Sequence, residues 1–168
     1  MNLTPIDPKE DELPSFRLDG RLAVITGASD GIGRTFALAY ARSGAEVVLV
    51  SRTREKLLGV QRSVEAAGGR AHVLAADVAR IAEIRSLEQE MPRIIAGRDL
   101  SLVLVNCAGF GFTKAALDIT EEDWDQVLRI NLKSMFLMTQ AVLPAIGTRR
   151  VPLVRRVRPT VSRYIVCA

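Results

Sequence analysis

The sequence predicts an α/β fold, a doubly wound parallel sheet with helices on both faces. Three observations carry that prediction. Short apolar runs rich in β-branched residues alternate with longer segments of helical periodicity, which is the pattern of a right-handed βαβ series. The first run, Ala23-Val24-Ile25-Thr26, passes into a glycine-rich turn, Gly27-Ala28-Ser29-Asp30-Gly31-Ile32-Gly33, that opens a helical segment. Finally, Thr26–Gly33, Ser51-Arg52, Asp77-Val78 and Asn106–Gly109 all fall where predicted strands end, and ligands of open parallel sheets bind at the carboxyl ends of the strands.

Taken in order, Arg21–Thr26 reads as a short buried parallel strand. Gly27, Gly31 and Gly33 remove side chains where the backbone must turn sharply and approach an anion, and the N–H groups opening the next helix face that anion. A glycine turn between strand and helix is the setting in which such a loop cradles the pyrophosphate of a dinucleotide, so a Rossmann-like arrangement is expected. The helix, from about Arg34 to Arg42, carries Ile32, Phe36, Ala39 and Tyr40 at helical spacing and closes at Gly44. Glu46–Arg52 is the second strand. A helix from about Thr53 to Ala67 follows, with Leu57, Val60, Gln61 and Val64 on one side and Gly68-Gly69 at its end. His72–Ala75 is a short third strand leading to Asp77-Val78. The helix from about Arg80 to Ala96 contains Pro92, which is expected to kink or end it. Leu102–Val105 is the fourth strand and runs into Asn106-Cys107-Ala108-Gly109.

The last clear helix opens at Thr120, which can cap it while Asp123 answers, with acids at the positive end of the helix dipole. Its apolar stripe comprises Trp124, Val127, Leu128, Met135, Met138 and Val142, ending near Pro144. Asn131 lies on that stripe, and a core-facing amide needs buried partners. On this pattern alone a satisfied core asparagine is the simpler reading.

At 168 residues the chain is one domain by length, large enough to bury a core. No apolar run approaches ~18 residues, so nothing is expected to span a membrane. Residues 1–19 carry Pro5, Pro8 and Pro14 and no apolar signal-peptide core, and are expected to form a mobile arm in a cytoplasmic protein. Cys107 and Cys167 are too few for a structural zinc site and are expected to be reduced. His72, the one histidine, has no companion ligands or nucleophile nearby, so a structural role and no metal are expected. The formal net charge of +4 is unevenly held: residues 1–146 carry 17 basic and 19 acidic side chains, whereas residues 147–168 carry six arginines and no acid.

Thr26–Gly33, Asp77, Asn106–Gly109 and Asn131-Leu132, in this order, resemble the short-chain dehydrogenase/reductase family. The run from Leu18 to about Ile146 is similar to its gluconate 5-dehydrogenase and 3-oxoacyl-carrier-protein reductase branch, over roughly the first two thirds of a typical member. The resemblance implies an NAD(P)-binding Rossmann domain over residues 20–146, followed by an atypical arginine-rich tail over 147–168. It implies that Gly27, Ser29, Gly31, Ile32 and Gly33 hold the pyrophosphate and adenosine ribose, and that Asp77 and Val78 flank the adenine. Asn106, Ala108 and Gly109 would line the cofactor towards the nicotinamide, with Cys107 standing where a second asparagine is more usual. Asn131 would be the helix asparagine of the catalytic tetrad, holding a water in the proton relay. Cofactor choice rests on Ser51-Arg52, where an NAD-preferring site usually has a carboxylate. Arginine can pair with a 2′-phosphate; Asp30 opposes this, and NADP(H) is expected over NAD(H).

Family chemistry moves hydride between nicotinamide and a carbonyl or alcohol carbon, while a tyrosine, its pKa lowered by a nearby lysine ammonium, moves the proton. Tyr-x-x-x-Lys puts both on one helix face. Here the tyrosines are Tyr40 and Tyr164 and the last lysine is Lys133, so the motif does not occur. The expectation is therefore a nucleotide-binding oxidoreductase by descent that is catalytically incomplete as this chain, truncated or frameshifted after Ile146. The alternative is a non-enzymatic nucleotide-binding or interaction subunit paired with a complete relative. A small carbonyl or alcohol substrate is expected only if the chain is completed. The arginine-rich tail lacks interleaved aromatics for nucleic-acid stacking, although Arg163–Ala168 has the composition of a fifth strand. Exposed sheet edges and helix faces predict a homo-oligomer or aggregate.

Overall fold

The computed structural model describes residues 16–98, 100–146 and 164–167. It builds one sheet from β1 Arg21–Thr26, β2 Glu46–Ser51, β3 Ala71–Ala75, β4 Ser101–Asn106 and β5 Tyr164–Cys167. All neighbours are parallel, in the order β3-β2-β1-β4-β5. The chain thus winds outward from β1 to β3 and then crosses back to β4, so the strand order reverses between β1 and β4. The backbone of β5 continues the sheet beyond β4, pairing Val103 with Tyr164 and Asn106 with Cys167. Residues 1–15 of the expected arm, and residues 147–163 and Ala168 of the tail, lie outside the described residues. The described end of the arm is tied down, with the N–H of Leu18 donating to the Ser43 carbonyl at 2.7 Å.

Strand alternation sends successive side chains to opposite faces, and both faces are covered. Ala23, Ile25, Val47, Leu49, Val103 and Val105 pack with α1 (Gly31–Arg42) and α2 (Arg54–Ala66). Leu22, Val24, Val48, Val50, Leu102 and Leu104 pack with α3 (Ile81–Ile95) and with α5 (Ser134–Val142), which follows α4 (Glu121–Leu128). This double cover explains why the strands are near-continuous apolar runs rather than alternating ones. Leu57, Val60 and Val64 dock α2 as its sequence pattern predicts, each burial contributing roughly 1.5–3 kcal/mol.

Three helices depart from expectation. Helix α1 begins at Gly31, not Arg34, and its buried face is Gly33, Ala37 and Ala41 rather than a stripe through Ile32, which is 69% exposed. Small residues win because the helix lies close against the sheet. In α3, Pro92 does not end the helix, which runs on to Ile95. Pro92 and Glu88 are exposed, so the carbonyl left without a donor faces water. The helix stops instead at Ala96, whose φ of 49° is left-handed.

The third departure bears on function. The segment expected as one helix is broken between α4 and α5 by five residues of π-helix, Arg129–Lys133. A π-turn takes in an extra residue and so shifts the phase of the stripe. Ser134, Met138, Ala141 and Val142 are buried, while Trp124, Leu128 and Asn131 are exposed. Asn131 is therefore not the core-facing amide that periodicity predicts.

Candidate functional site

A cleft of about 360 Å³ opens at the carboxyl ends of β1, β2 and β4 and the turn after β3. It gathers Gly27 and Ser29 from the first loop, Ser51 and Arg52 from the second, Asp77 and Val78 from the third, and Ala108 and Gly109 from the fourth. Lys56, Phe110, Gln126 and Ile130 also line it. Of the other sequence-predicted residues, Asp30 caps α1, Gly31, Ile32 and Gly33 form its first turn, Asn106 ends β4 and Asn131 is bonded to Phe110; none of these six lines the cleft.

The glycine turn is dictated by space on one side and by its absence on the other. Gly27 has φ 67°, and a Cβ there would stand 3.0 Å from the Ala108 backbone. A Cβ on Gly33 would stand 2.3 Å from the Gly27 carbonyl oxygen, so α1 closes onto the turn only without a side chain. Gly31, φ 51°, differs: apart from its own stretch of chain, no atom of the described residues lies within 4 Å of where its Cβ would be. Protein packing does not use that space, which leaves a backbone cradle open to a ligand at the N-terminus of α1, where amide groups and the helix dipole favour an anion. Asp30 partly occupies that end, accepting from the Gly31 N–H at 2.8 Å and pairing with Lys56. The Gly31 hydrogen bond first, then Lys56, holds its carboxyl below the usual carboxylate range.

Among the described residues, two buried polar atoms have no hydrogen-bond partner, Ser51 Oγ and Asn106 Nδ2. An orphaned polar group costs about 1–3 kcal/mol. Ser51 lines the cleft, with its Oγ buried behind that wall. The turn after β4 is held from below by Thr26, which the sequence reading placed in the first strand-end segment without giving its side chain a role. Its Oγ1 accepts from the N–H groups of Cys107 at 3.1 Å and Ala108 at 3.0 Å. The signal available was a hydroxyl ending an apolar strand, since a buried polar group must be bonded. Burial raises the Cys107 thiol above its ordinary pKa.

Asp77 is partly committed to its own turn, Oδ1 accepting from the Ala79 N–H at 2.9 Å. Arg52 is exposed and has no hydrogen-bond or ion-pair partner among the described residues, so it stands as a free cation on the rim. Asn131 clamps the loop after β4: Oδ1 accepts from the Phe110 N–H and Nδ2 donates to the Phe110 carbonyl, each at 2.8 Å. It acts through Phe110, and is a positioning residue in this geometry. Tyr40 lies on α1 with its ring edge-on to Phe36 at 5.7 Å, and does not line the cleft. Among the described residues no three His, Cys, Asp or Glu side chains are grouped to hold a metal, and no helix is long and apolar enough to cross a membrane.

The chain is similar to known proteins. The family model for the short chain dehydrogenases matches residues 21–152. A 2-dehydro-3-deoxy-D-gluconate 5-dehydrogenase of Escherichia coli is 36% identical, over 77% of this chain and 49% of its own length. Among solved structures, an L-sorbose reductase from Gluconobacter frateurii complexed with NADPH and L-sorbose has a TM-score of 0.73 and 29% identity, over 81% of this chain and 51% of the other. A 7α-hydroxysteroid dehydrogenase complexed with NADH and 7-oxo glycochenodeoxycholic acid has a TM-score of 0.70 and 31% identity, over 78% and 50%. The chain spans about half the length of the curated relatives it matches.

Proposed function

The chain belongs to the short-chain dehydrogenase family, and we propose that it binds NADP(H), in preference to NAD(H), in the cleft between β1, β2 and β4. The observation that carries this reading is Arg52, a cation on the cleft wall with no partner among the described residues, facing the same cleft as Gly27 and Ser29 of the glycine turn. Family membership does not choose the dinucleotide, since one relative was solved with NADPH and another with NADH; the rim residues must. Arg52 offers a planar fork to a 2′-phosphate, and no carboxylate stands at that position to accept from a free 2′-hydroxyl.

The bound dinucleotide supplies hydride transfer to or from a carbonyl or alcohol carbon. The chain's own residues bind and orient. Gly27, Ser29 and Gly31, with Ile32 and Gly33 behind them, receive the pyrophosphate and ribose, and Ser51 lines the same cleft. Asp77 and Val78 bound the adenine end. Ala108 and Gly109, on the turn that Thr26 braces, face the nicotinamide half, with Asn106 at the end of the strand that leads into that turn. Asn131 fixes Phe110 and so sets the height of that wall.

No Tyr-x-x-x-Lys is present to move the proton at the substrate oxygen, and losing such a group removes about 10²–10⁴ in rate. We expect these 168 residues, assayed by themselves, to bind the cofactor with negligible turnover of small carbonyls or alcohols. A second reading, an interaction subunit that pairs with itself or with a complete relative, is favoured by the exposed apolar side chains of α4 and α5. We propose a cytoplasmic setting, in which the cysteines would stay reduced. The test is a pair of measurements on the purified chain. Titration of NADPH fluorescence is expected to saturate, with NADH binding at least tenfold weaker, and a carbonyl panel is expected to leave NADPH unoxidised. Equal affinities for the two cofactors, or brisk carbonyl-dependent oxidation, would refute the respective half.

A further inference from the structure

Lys56 comes from the first turn of α2, one helical turn beyond Arg52, and lines the same cleft. Its Nζ lies 3.4 Å from Asp30 Oδ2, while Asp30 Oδ1 accepts from the Gly31 N–H. The carboxylate therefore bridges the cap of α1 and a cation on the ribose side of the cleft. With side chains 59% and 78% exposed, the Lys56–Asp30 pair adds little to stability. Its consequence is electrostatic and local. An uncompensated carboxylate at Asp30 would favour ribose hydroxyls and repel a phosphate placed near Arg52, and Arg52 alone would have to overcome it.

We propose that Lys56 is a second specificity-determining cation of the cleft: it neutralises Asp30 in the free chain and joins Arg52 on the 2′-phosphate in the bound one. The proposal rests on the NADP(H) reading above and names the residue that lets an acidic glycine loop coexist with it. The two side chains suit the two tasks. Arg52 presents a planar, bidentate fork, whereas Lys56 is a point charge on a flexible stem that can exchange one anion for another. The exchange is easy because the resting ion pair is exposed and weak, and favourable because a phosphate carries about −1.5 to −2 charges against the single charge of Asp30.

The experiment uses the full chain and two probes that differ only by the phosphate in question, adenosine 2′,5′-bisphosphate and 5′-AMP, measured by calorimetry alongside thermal melts. Wild type is expected to prefer the bisphosphate. K56Q is expected to lose about 5- to 20-fold in bisphosphate affinity with AMP affinity unchanged within about twofold. D30N placed in the K56Q background is expected to restore most of the loss, because the repulsion that Lys56 masked is gone. If wild type prefers the bisphosphate and K56Q keeps that preference, the Lys56 assignment fails and the NADP(H) reading stands. Equal loss of both probes in K56Q, or no rescue by D30N, also overturns the assignment. A wild-type chain that binds the two probes equally, or binds neither, overturns both.

Discussion

Thr26 and Glu46 mark the two ends of the sheet, one bracing the cleft and the other stabilising the opposite rim. Thr26 shows how much one hydroxyl can organise: it bonds the backbone of residues 81 and 82 positions away, so the turn after β4 cannot drift from the turn after β1. Glu46, at the start of β2, is 10% exposed at its side chain and takes both Nη groups of Arg98 at 2.8 and 2.9 Å, with His72 Nε2 at 2.5 Å. This is the structural role expected of His72. Hydrogen bonding from Arg98 first, opposed by burial and assisted by His72, holds the Glu46 carboxyl at about 2. A folded-state pKa below the unfolded value of about 4.3 means stabilisation that is complete above about pH 5 and is lost as pH falls towards 2. With Arg98 partly solvated, we expect about 2 kcal/mol from this source. Urea melts between pH 2.5 and 6 are expected to show that slope in the wild type and a flatter profile in Glu46→Gln; parallel profiles would refute the role.

At the scale of elements, the decisive unit is α4, the π-segment and α5. Thr120 and Asp123 form the expected capping box, and Lys114 pairs with Asp123 beside it. That cap fixes where α4 starts, and the π-turn then sets which way Asn131 points. Two hydrogen bonds from one side-chain amide to the N–H and carbonyl of one residue make Asn131 a latch between this helix and the loop after β4. Asn131→Ala removes both, at about 1–2 kcal/mol. Hydrogen exchange at the Phe110 amide is expected to accelerate about tenfold or more while the overall melt shifts by a few degrees. Unchanged exchange at Phe110 would mean that the latch carries no load.

At the scale of the whole molecule, the sheet is covered on both faces but α4 and α5 keep large apolar side chains in solvent. Trp124, Leu128, Leu132 and Phe136 recur every four residues and are 61%, 39%, 63% and 63% exposed. We propose this row as a surface for self-association. Sedimentation at increasing concentration is expected to show dimers or larger species, and Leu132→Glu with Phe136→Glu is expected to return the chain to monomer without weakening NADPH binding. A wild type that stays monomeric at high concentration would sink the idea.

The sequence by itself determined the four βαβ-related strands, the glycine turn, and the fact that residues 26–33, 51–52, 77–78 and 106–109 meet at one edge of the sheet. These are consequences of local propensity and of periodicity, which are written along the chain, combined with the near-obligatory handedness of parallel crossovers. Tertiary structure alone decided that α1 buries Gly33, Ala37 and Ala41 instead of Ile32, because that choice depends on how close the helix approaches the sheet. It alone set Asn131 on Phe110, since an inserted π-turn changes the phase of every later residue without changing the composition of the stripe. Thr26 on Ala108 and Lys56 on Asp30 belong to the same class. Their partners lie 82 and 26 residues away, and only the strand order that places β1 between β2 and β4 brings them within a hydrogen bond.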